Sequence, residues 1–138
     1  MSTTFETSIL VDSAAISAVT ERIMEFLQAG GVDARATHHV ALAAEELLTN
    51  LATHGNSAGA PATLRLTVEA DRVTTEIVDG GTPFDPRQAP DPDLSGGIME
   101  REIGGLGLYL IRQFAESIDY ARRGEKNFTT FAVARSRI

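Results

Sequence analysis

Three polar side chains recur at four-residue intervals within residues 42–55, LAAEELLTNLATHG. They are Glu46, Asn50 and His54. In a helix, with about 100° between successive residues, they would lie within an arc of about 80°. A carboxylate, a carboxamide and an imidazole on one face could bind a hydrated divalent cation and activate a nucleophile, or could simply form a solvated face. Glu45 would point well away, so the two neighbouring carboxylates are not equivalent.

A second candidate site lies at the end of a predicted strand. Residues 73–79, VTTEIVD, alternate in polarity, so that Asp79 ends a row that also holds Val73 and Ile77. A carboxylate in such a row needs a donor, because an unpaired buried charge is costly. The exocyclic amine of a nucleobase would serve. The alternative is a plain turn in which Asp79 caps its own backbone.

A third candidate is the glycine-rich segment 104–107, GGLG, which runs into an apolar helical pattern. Its composition is typical of a loop whose N–H groups, with the following helix N-terminus, hold phosphate oxygens. The alternative is that the glycines only allow close packing of the helix. The segment is not a dinucleotide fingerprint, because Leu110 takes the third glycine position. It is not a P-loop either, because the chain's single lysine, Lys126, is followed by Asn127.

In this order, the motifs resemble those of the GHKL ATPase superfamily, and within it the small bacterial anti-sigma factor serine/threonine kinases. The run from Glu46 to Gly55 resembles the N-box, and Asp79-Gly80-Gly81 with the following Pro-Phe-Asp resembles the G1 box. Residues 104–108, GGLGL, resemble the G2 box, and residues 127–131, NFTTF, resemble the late strand that brings a threonine to adenine. The resemblance covers essentially the whole chain.

The resemblance implies a role for each matching residue. Asn50 would coordinate Mg²⁺ between the ATP phosphates, and Glu46 would be the general base for the attacking hydroxyl or water. Asp79 would accept a hydrogen bond from the adenine amino group, and Gly81 would allow close approach of the backbone. The other nucleotide contacts that it implies are His54, Gly104, Gly105, Leu106, Gly107 and Thr130.

Three of these assignments have alternatives. His54 either borders the nucleotide or closes the helix C-terminus, where a partly positive imidazole is favourable. Thr129 competes with Thr130 for the adenine edge. Some relatives carry an arginine beside the G2 glycines, but here that position is Ile103, so Arg101 is either its substitute or a solvated residue.

The layout predicts an α+β fold: a two-layer sandwich with a mostly antiparallel sheet covered by helices on one face, as in the Bergerat (GHKL) ATP-binding fold. Asp12 and Asp33 should cap two helices, over about 13–28 and from 34 to Gly55. Strands are expected at residues 4–11, 62–69, 73–79, 118–123 and 127–135, with a further helix from about 105 to 117. The irregular stretch 82–103 is either a lid or a disordered insertion.

Composition is compatible with this class. The 138 residues predict one domain, 1–138, and no apolar run is long enough to span a bilayer. With no cysteine and no export signal, the expected location is the cytoplasm. The net charge of -7 argues against direct binding to nucleic acid.

The resemblance implies an ATP- and Mg²⁺-dependent protein kinase that phosphorylates a STAS-type anti-anti-sigma protein and binds a sigma factor or similar regulator. Homodimers are frequent in that family, and the predicted first helix offers an apolar stripe, although the core needs such a stripe equally. One alternative is a catalytically silent ATP-sensing module. Another is a detached histidine-kinase catalytic domain, which would need a phospho-acceptor helical hairpin that this chain has no room for.

Overall fold

A computed structural model describes residues 3–55, 59–88 and 103–136, with only the backbone of residues 103–106. The elements within these residues, in chain order, are β1 (Thr3–Leu10), α1 (Ser13–Ala29), α2 (Ala34–Thr53), β2 (Pro61–Val68), β3 (Arg72–Asp79), a short 3-10 turn (Pro86–Gln88), α3 (Ile103–Phe114), β4 (Ser117–Arg123) and β5 (Lys126–Ala134). Each predicted strand is present within one or two residues.

The five strands form one sheet in the order β1-β2-β3-β5-β4, and every pairing is antiparallel. The register between β3 and β5 sets Asp79 opposite Asn127 and Ile77 opposite Thr129. β4 and β5 are joined at Gly124, whose φ of 61° is a left-handed conformation that glycine adopts readily. The adjacent ends of β3 and β5 therefore meet at one edge of the core.

Both predicted helix caps are present. The Asp12 carboxylate accepts a hydrogen bond from the Ala15 N–H at 2.8 Å, and the Asp33 carboxylate accepts one from the Ala36 N–H at 3.2 Å. Asp33 also accepts a bond from the Ser136 N–H at 2.8 Å. This bond is the main reason that the pKa of Asp33 lies below its usual value. Asp33 therefore starts α2 and ties down the end of the chain that follows β5.

The helices pack on one face of the sheet, and this confirms the predicted α+β sandwich. Alternate residues of β2, β3 and β5 face the helices and form one buried cluster with them. The apolar stripe of α1 (Ile16, Val19 and Ile23) is buried in this cluster, so it serves the chain's own core. In α2, Leu47 and Leu51 are buried on the side that faces the sheet. Within the described residues, no helix is long and apolar enough to cross a membrane.

α3 differs from the prediction in its start. The helix begins at Ile103, so the glycines predicted to form a loop are part of its first turns. Among its described side chains Leu108 and Ile111 are buried, whereas Leu110 is 40% exposed. Because Leu108 and Ile111 are three positions apart, they share a face that Leu110 does not reach.

Candidate functional site

The predicted row of polar residues is present on α2, and its members differ in how deeply they are buried. Asn50 is 6% exposed, Glu46 is half-buried and Glu45 is exposed. The helix phase therefore turns Glu46, and not Glu45, towards the interior. His54 is exposed and ends the helix, where its backbone N–H donates to the Asn50 carbonyl at 2.8 Å. An exposed imidazole at the C-terminus of α2 fits the role of closing that helix at least as well as it fits contact with a nucleotide.

Two buried polar atoms on this row have no partner among the described residues: Glu46 Oε1 and Asn50 Nδ2. Burial raises the pKa of Glu46, and the neighbouring Glu45 carboxylate raises it further. A buried polar atom without a hydrogen bond is costly and rare in folded proteins. The Glu46 oxygen can accept a hydrogen bond and the Asn50 N–H₂ group can donate one. One turn apart on the same helix, they could serve a ligand, or a pair of reactants, that offers both a donor and an acceptor.

The first turns of α3 lie against this row. At Gly107 an added Cβ would come within 2.2 Å of Glu46 Oε1, so only glycine lets the α3 backbone approach the carboxylate this closely. Of the predicted phosphate-binding segment, Gly104, Gly105, Leu106 and Gly107 all belong to α3. The unpaired N–H groups of a helix's first turn suit an anion. The interpretation of Arg101 lies outside the described residues.

Asp79 ends β3 with its side chain buried, at 3% exposure. Its Oδ2 atom accepts hydrogen bonds from the Gly81 N–H at 2.9 Å and from Asn127 Nδ2 at 3.0 Å. The first bond is the self-capping turn that the sequence offered as an alternative. That turn does not displace a ligand role, because both bonds fall on Oδ2 within the described residues.

A small pocket opens beside Asp79 between α2 and the sheet. Its lining residues are Leu47, Leu51, Ile77, Asp79, Phe84, Pro86, Asn127 and Thr129. The free volume is about 20 Å³, room for about one water molecule. The pocket as it stands is too small for a purine, and Phe84 and Pro86, on the segment after β3, form part of its wall.

Only one of the two candidate threonines faces this pocket. Thr129 is buried and lies opposite Ile77, whereas Thr130 lies opposite Glu76 and Asp119 on the other face of the sheet. Side chains alternate along a strand, so both threonines cannot serve one pocket. The geometry therefore disagrees with the assignment of Thr130 to adenine and favours Thr129.

The sequence did not single out Asn127, the most connected polar residue of the site. It is 2% exposed and bonds to the Asp79 carboxylate and to the carbonyls of Gly81 and Thr82. A possible signal was its spacing: Asn127 and Thr129 share one face of β5. Its pairing with Asp79, however, depends on the β3–β5 register, which only the folded chain reveals.

The donor set also limits which metal could bind. Within the described residues no three His, Cys, Asp or Glu side chains gather into a metal site. A protein-only cage is therefore absent from this part of the chain. Mg²⁺ keeps several waters and binds substrate phosphates, so it needs few protein ligands. The Asn50 amide oxygen could supply one of them.

Comparison with known proteins identifies the family of this fold. The histidine kinase-like ATPase domain matches residues 9–133, and the chain belongs to that family. The GHKL resemblance is thereby confirmed. The chain is also 36% identical over 99 residues to the serine/threonine-protein kinase BtrW of Bordetella bronchiseptica, with 70% of each chain covered.

Proposed function

We propose that this protein is an ATP- and Mg²⁺-dependent serine/threonine protein kinase. Its protein substrate would be a STAS-type anti-anti-sigma factor, and it would also bind a sigma factor or similar regulator in a partner-switching cycle. ATP binding follows from the family, and the similarity to a serine/threonine-protein kinase supports phosphotransfer to protein. The identity of the partners rests on the resemblance alone.

The observation that carries the proposal is the pair of unpartnered buried atoms Glu46 Oε1 and Asn50 Nδ2. A purely structural helix face would have no reason to bury them, whereas Mg²⁺-ATP would provide a partner for Asn50 and the attacking hydroxyl would provide one for Glu46. The Asn50 amide would offer its oxygen to the metal and its N–H₂ group to a phosphate oxygen. Bound Mg²⁺ would neutralise charge on the phosphates, which this acidic chain needs.

Glu46 would act as the general base. Its raised pKa means that burial makes the carboxylate a better proton acceptor than an exposed glutamate. It would take the proton of the substrate hydroxyl as that oxygen attacks the γ-phosphorus and ADP leaves. Glu45 is exposed and cannot replace it without a change in helix phase.

Asp79 and Thr129 would select adenine. Asp79 Oδ1 would accept from the exocyclic amine, where guanine presents a carbonyl that two carboxylate oxygens would repel. Thr129 can donate or accept beside it. The apolar walls formed by Leu47, Leu51 and Ile77 would contact the ring faces once the Phe84–Pro86 loop has moved.

The direct test is a phosphotransfer screen. The protein is incubated with γ-labelled ATP, Mg²⁺ and each STAS-domain protein of its source proteome. The Glu46→Gln variant is the matched negative control. Label transferred to a serine or threonine of one STAS protein supports the proposal. Transfer to none, with ATP binding intact, would instead support the second candidate, an ATP-sensing binding module.

The burial of Glu46 bears on the choice between these two candidates. A sensor has no need of a base at this position. The burial of an ionisable Glu46, at a cost that glutamine would avoid, favours the kinase.

A further inference from the structure

Asn127 has a bonding pattern that a simple core residue does not require. Its Nδ2 group donates to Asp79 Oδ2 at 3.0 Å, to the Thr82 carbonyl at 3.0 Å and more weakly to the Gly81 carbonyl at 3.4 Å. Its Oδ1 atom accepts from the Tyr120 hydroxyl and from Arg122 Nη1, the latter at 3.1 Å. One buried amide thus joins β3, β4, β5 and the turn that follows β3.

These neighbours permit only one orientation of the amide. The Arg122 guanidinium carries donors alone, so it must face the amide oxygen and could not face the N–H₂ group. On the other side, the Asp79 carboxylate and two carbonyls are acceptors, so they must face the N–H₂ group. Arg122 also donates to the Gly81 carbonyl at 2.7 Å, which holds the turn against β4. The matching of donors and acceptors on both sides of the amide therefore directs the Nδ2 group towards Asp79.

The bond on Asp79 has a directional consequence. The Asn127 and Gly81 donors both bind Oδ2, which fixes the rotation of the carboxylate about its own axis. Oδ1 is then the oxygen left for a ligand, and Asp79 lines the pocket together with Ile77 and Thr129. Without Asn127, the carboxylate could rotate and share its two oxygens between the turn and the pocket.

We infer that Asn127 is a positioning residue that sets adenine specificity by fixing Asp79, with Tyr120 and Arg122 orienting its amide. This inference rests on the proposed nucleotide site. Asn127 itself need not touch the base. Its contribution would appear as discrimination between purines that carry or lack the exocyclic amine, because only the bond to that amine depends on where Oδ1 points.

The test compares affinities for Mg²⁺-ATP and Mg²⁺-ITP, whose base has a carbonyl in place of the amine, by calorimetry on the full chain. Wild type should prefer ATP. Asn127→Asp keeps the side-chain size and the acceptor for Arg122 but removes the Nδ2 donors. It should lower the ATP-to-ITP preference roughly 10-fold, the usual weight of a bond to a charged group, with ITP affinity changed far less. Thr130→Val, on the opposite face of β5, is the matched control and should keep the preference.

The pH dependence of the ATP-to-ITP preference is a second measurement, and a purely structural role of Asn127 would leave this preference independent of pH. In Asn127→Asp two carboxyl groups meet, and their repulsion favours uptake of one shared proton as the pH falls. The protonated carboxyl can then donate to its neighbour, so the ATP preference should partly recover on acidification. Tyr120→Phe, which removes one donor to Oδ1 and keeps the ring, covers the case in which Asn127→Asp does not fold. It should lower the preference in the same direction, by less.

The outcomes separate this inference from the proposed function. If wild type prefers ATP and folded Asn127→Asp and Tyr120→Phe keep that preference, the inference is overturned while the ATP site stands. Equal loss of ATP and ITP affinity in the variants would make Asn127 a structural residue only, and would also overturn it. If wild type does not distinguish ATP from ITP, Asp79 does not read the base. The inference is then overturned together with the proposed adenine selection, while phosphotransfer is still decided by the labelled-ATP screen.

Discussion

Gly107 of α3 lies directly against the side chain of Glu46 on α2. An added Cβ would come within 2.1 Å of Glu46 Cδ and 2.5 Å of its Cγ, distances that no real contact allows. The glycine therefore does more than permit helix packing in general. It sets the separation between the proposed base and the helix whose N-terminus would face the phosphates.

Gly107→Ala should accordingly impair catalysis. Either Glu46 rotates away or α3 shifts, and a displacement of about 1 Å near reacting groups can lower the rate on the order of 100-fold. The same change in an ordinary helix would stabilise the fold by about 0.5–1 kcal/mol. We expect no such gain here. Phosphotransfer rates and thermal melts would be compared with those of Gly30→Ala, where the nearest atom is 3.5 Å from the added Cβ. Wild-type turnover with a higher melting temperature would contradict this prediction.

Glu46→Gln should separate catalysis from stability. Loss of a positioned base should reduce phosphotransfer by roughly 10²–10⁴-fold, with ATP affinity nearly intact. Because the pKa of Glu46 is raised in the folded state, ionisation costs folding free energy as the pH rises past about 4.5, and glutamine avoids this cost.

The variant should therefore be more stable than wild type at neutral pH, and the difference should vanish at pH values below the unfolded-state pKa of the carboxyl. Urea unfolding at several pH values measures this. Glu45→Gln, which alters the exposed neighbour, should leave the rate almost unchanged. A rate loss in Glu45→Gln with full activity in Glu46→Gln would show that the wrong carboxylate has been chosen.

Thr129→Val and Thr130→Val form a matched pair on one strand. Valine keeps the shape of threonine and removes the hydroxyl. Loss of one hydrogen bond to the base or to a bridging water should weaken ATP binding roughly 3- to 10-fold in Thr129→Val. Thr130→Val should bind ATP normally, since Thr130 lies on the other face of the sheet. Calorimetry measures the ATP affinity of both variants. Weaker ATP binding in Thr130→Val than in Thr129→Val would contradict the assignment to Thr129.

These residues also show how far the sequence could lead. The period-four spacing of Glu46 and Asn50 fixed their common face, since helix geometry is local. Likewise, Asp12 and Asp33 mark helix starts through bonds to residues three positions ahead. Such local rules predicted the elements and the α2 row correctly.

The assignments that the sequence left open or did not make depend on contacts between distant segments. Thr129 and Thr130 are adjacent, and which one faces the pocket is set by the register of β5 against β3. The role of Asn127 requires bonds to residues more than 40 positions away. The glycines of α3 resembled a loop by composition, whereas the structure includes them in the helix, where Gly107 packs against Glu46 of α2.

The opposite end of α3 provides the last prediction. His39 of α2 stacks on Phe114 with ring centroids 4.1 Å apart and planes 7° apart. Burial lowers the pKa of His39, and the positive charges of Arg35 and His38 lower it further. Below a pH of about 6.5 the unfolded chain thus binds the proton before the folded chain does, so stability should fall as the pH drops through that value until His39 also protonates in the folded state.

His39→Leu should remove this part of the pH dependence. Loss of the ring pair should cost about 0.5–1.5 kcal/mol at pH 7.5, and the further loss on going to pH 5.5 should be smaller than in wild type. Urea unfolding at both pH values measures how much the free energy of unfolding changes with pH in the variant and in wild type. His38→Gln, at the exposed neighbouring position, is the control: it removes only one of the charges that lower the pKa of His39, so it should reduce the pH dependence of stability much less than His39→Leu does. If His39→Leu loses as much stability on acidification as wild type does, the pH dependence has another origin, and the stack contributes packing alone.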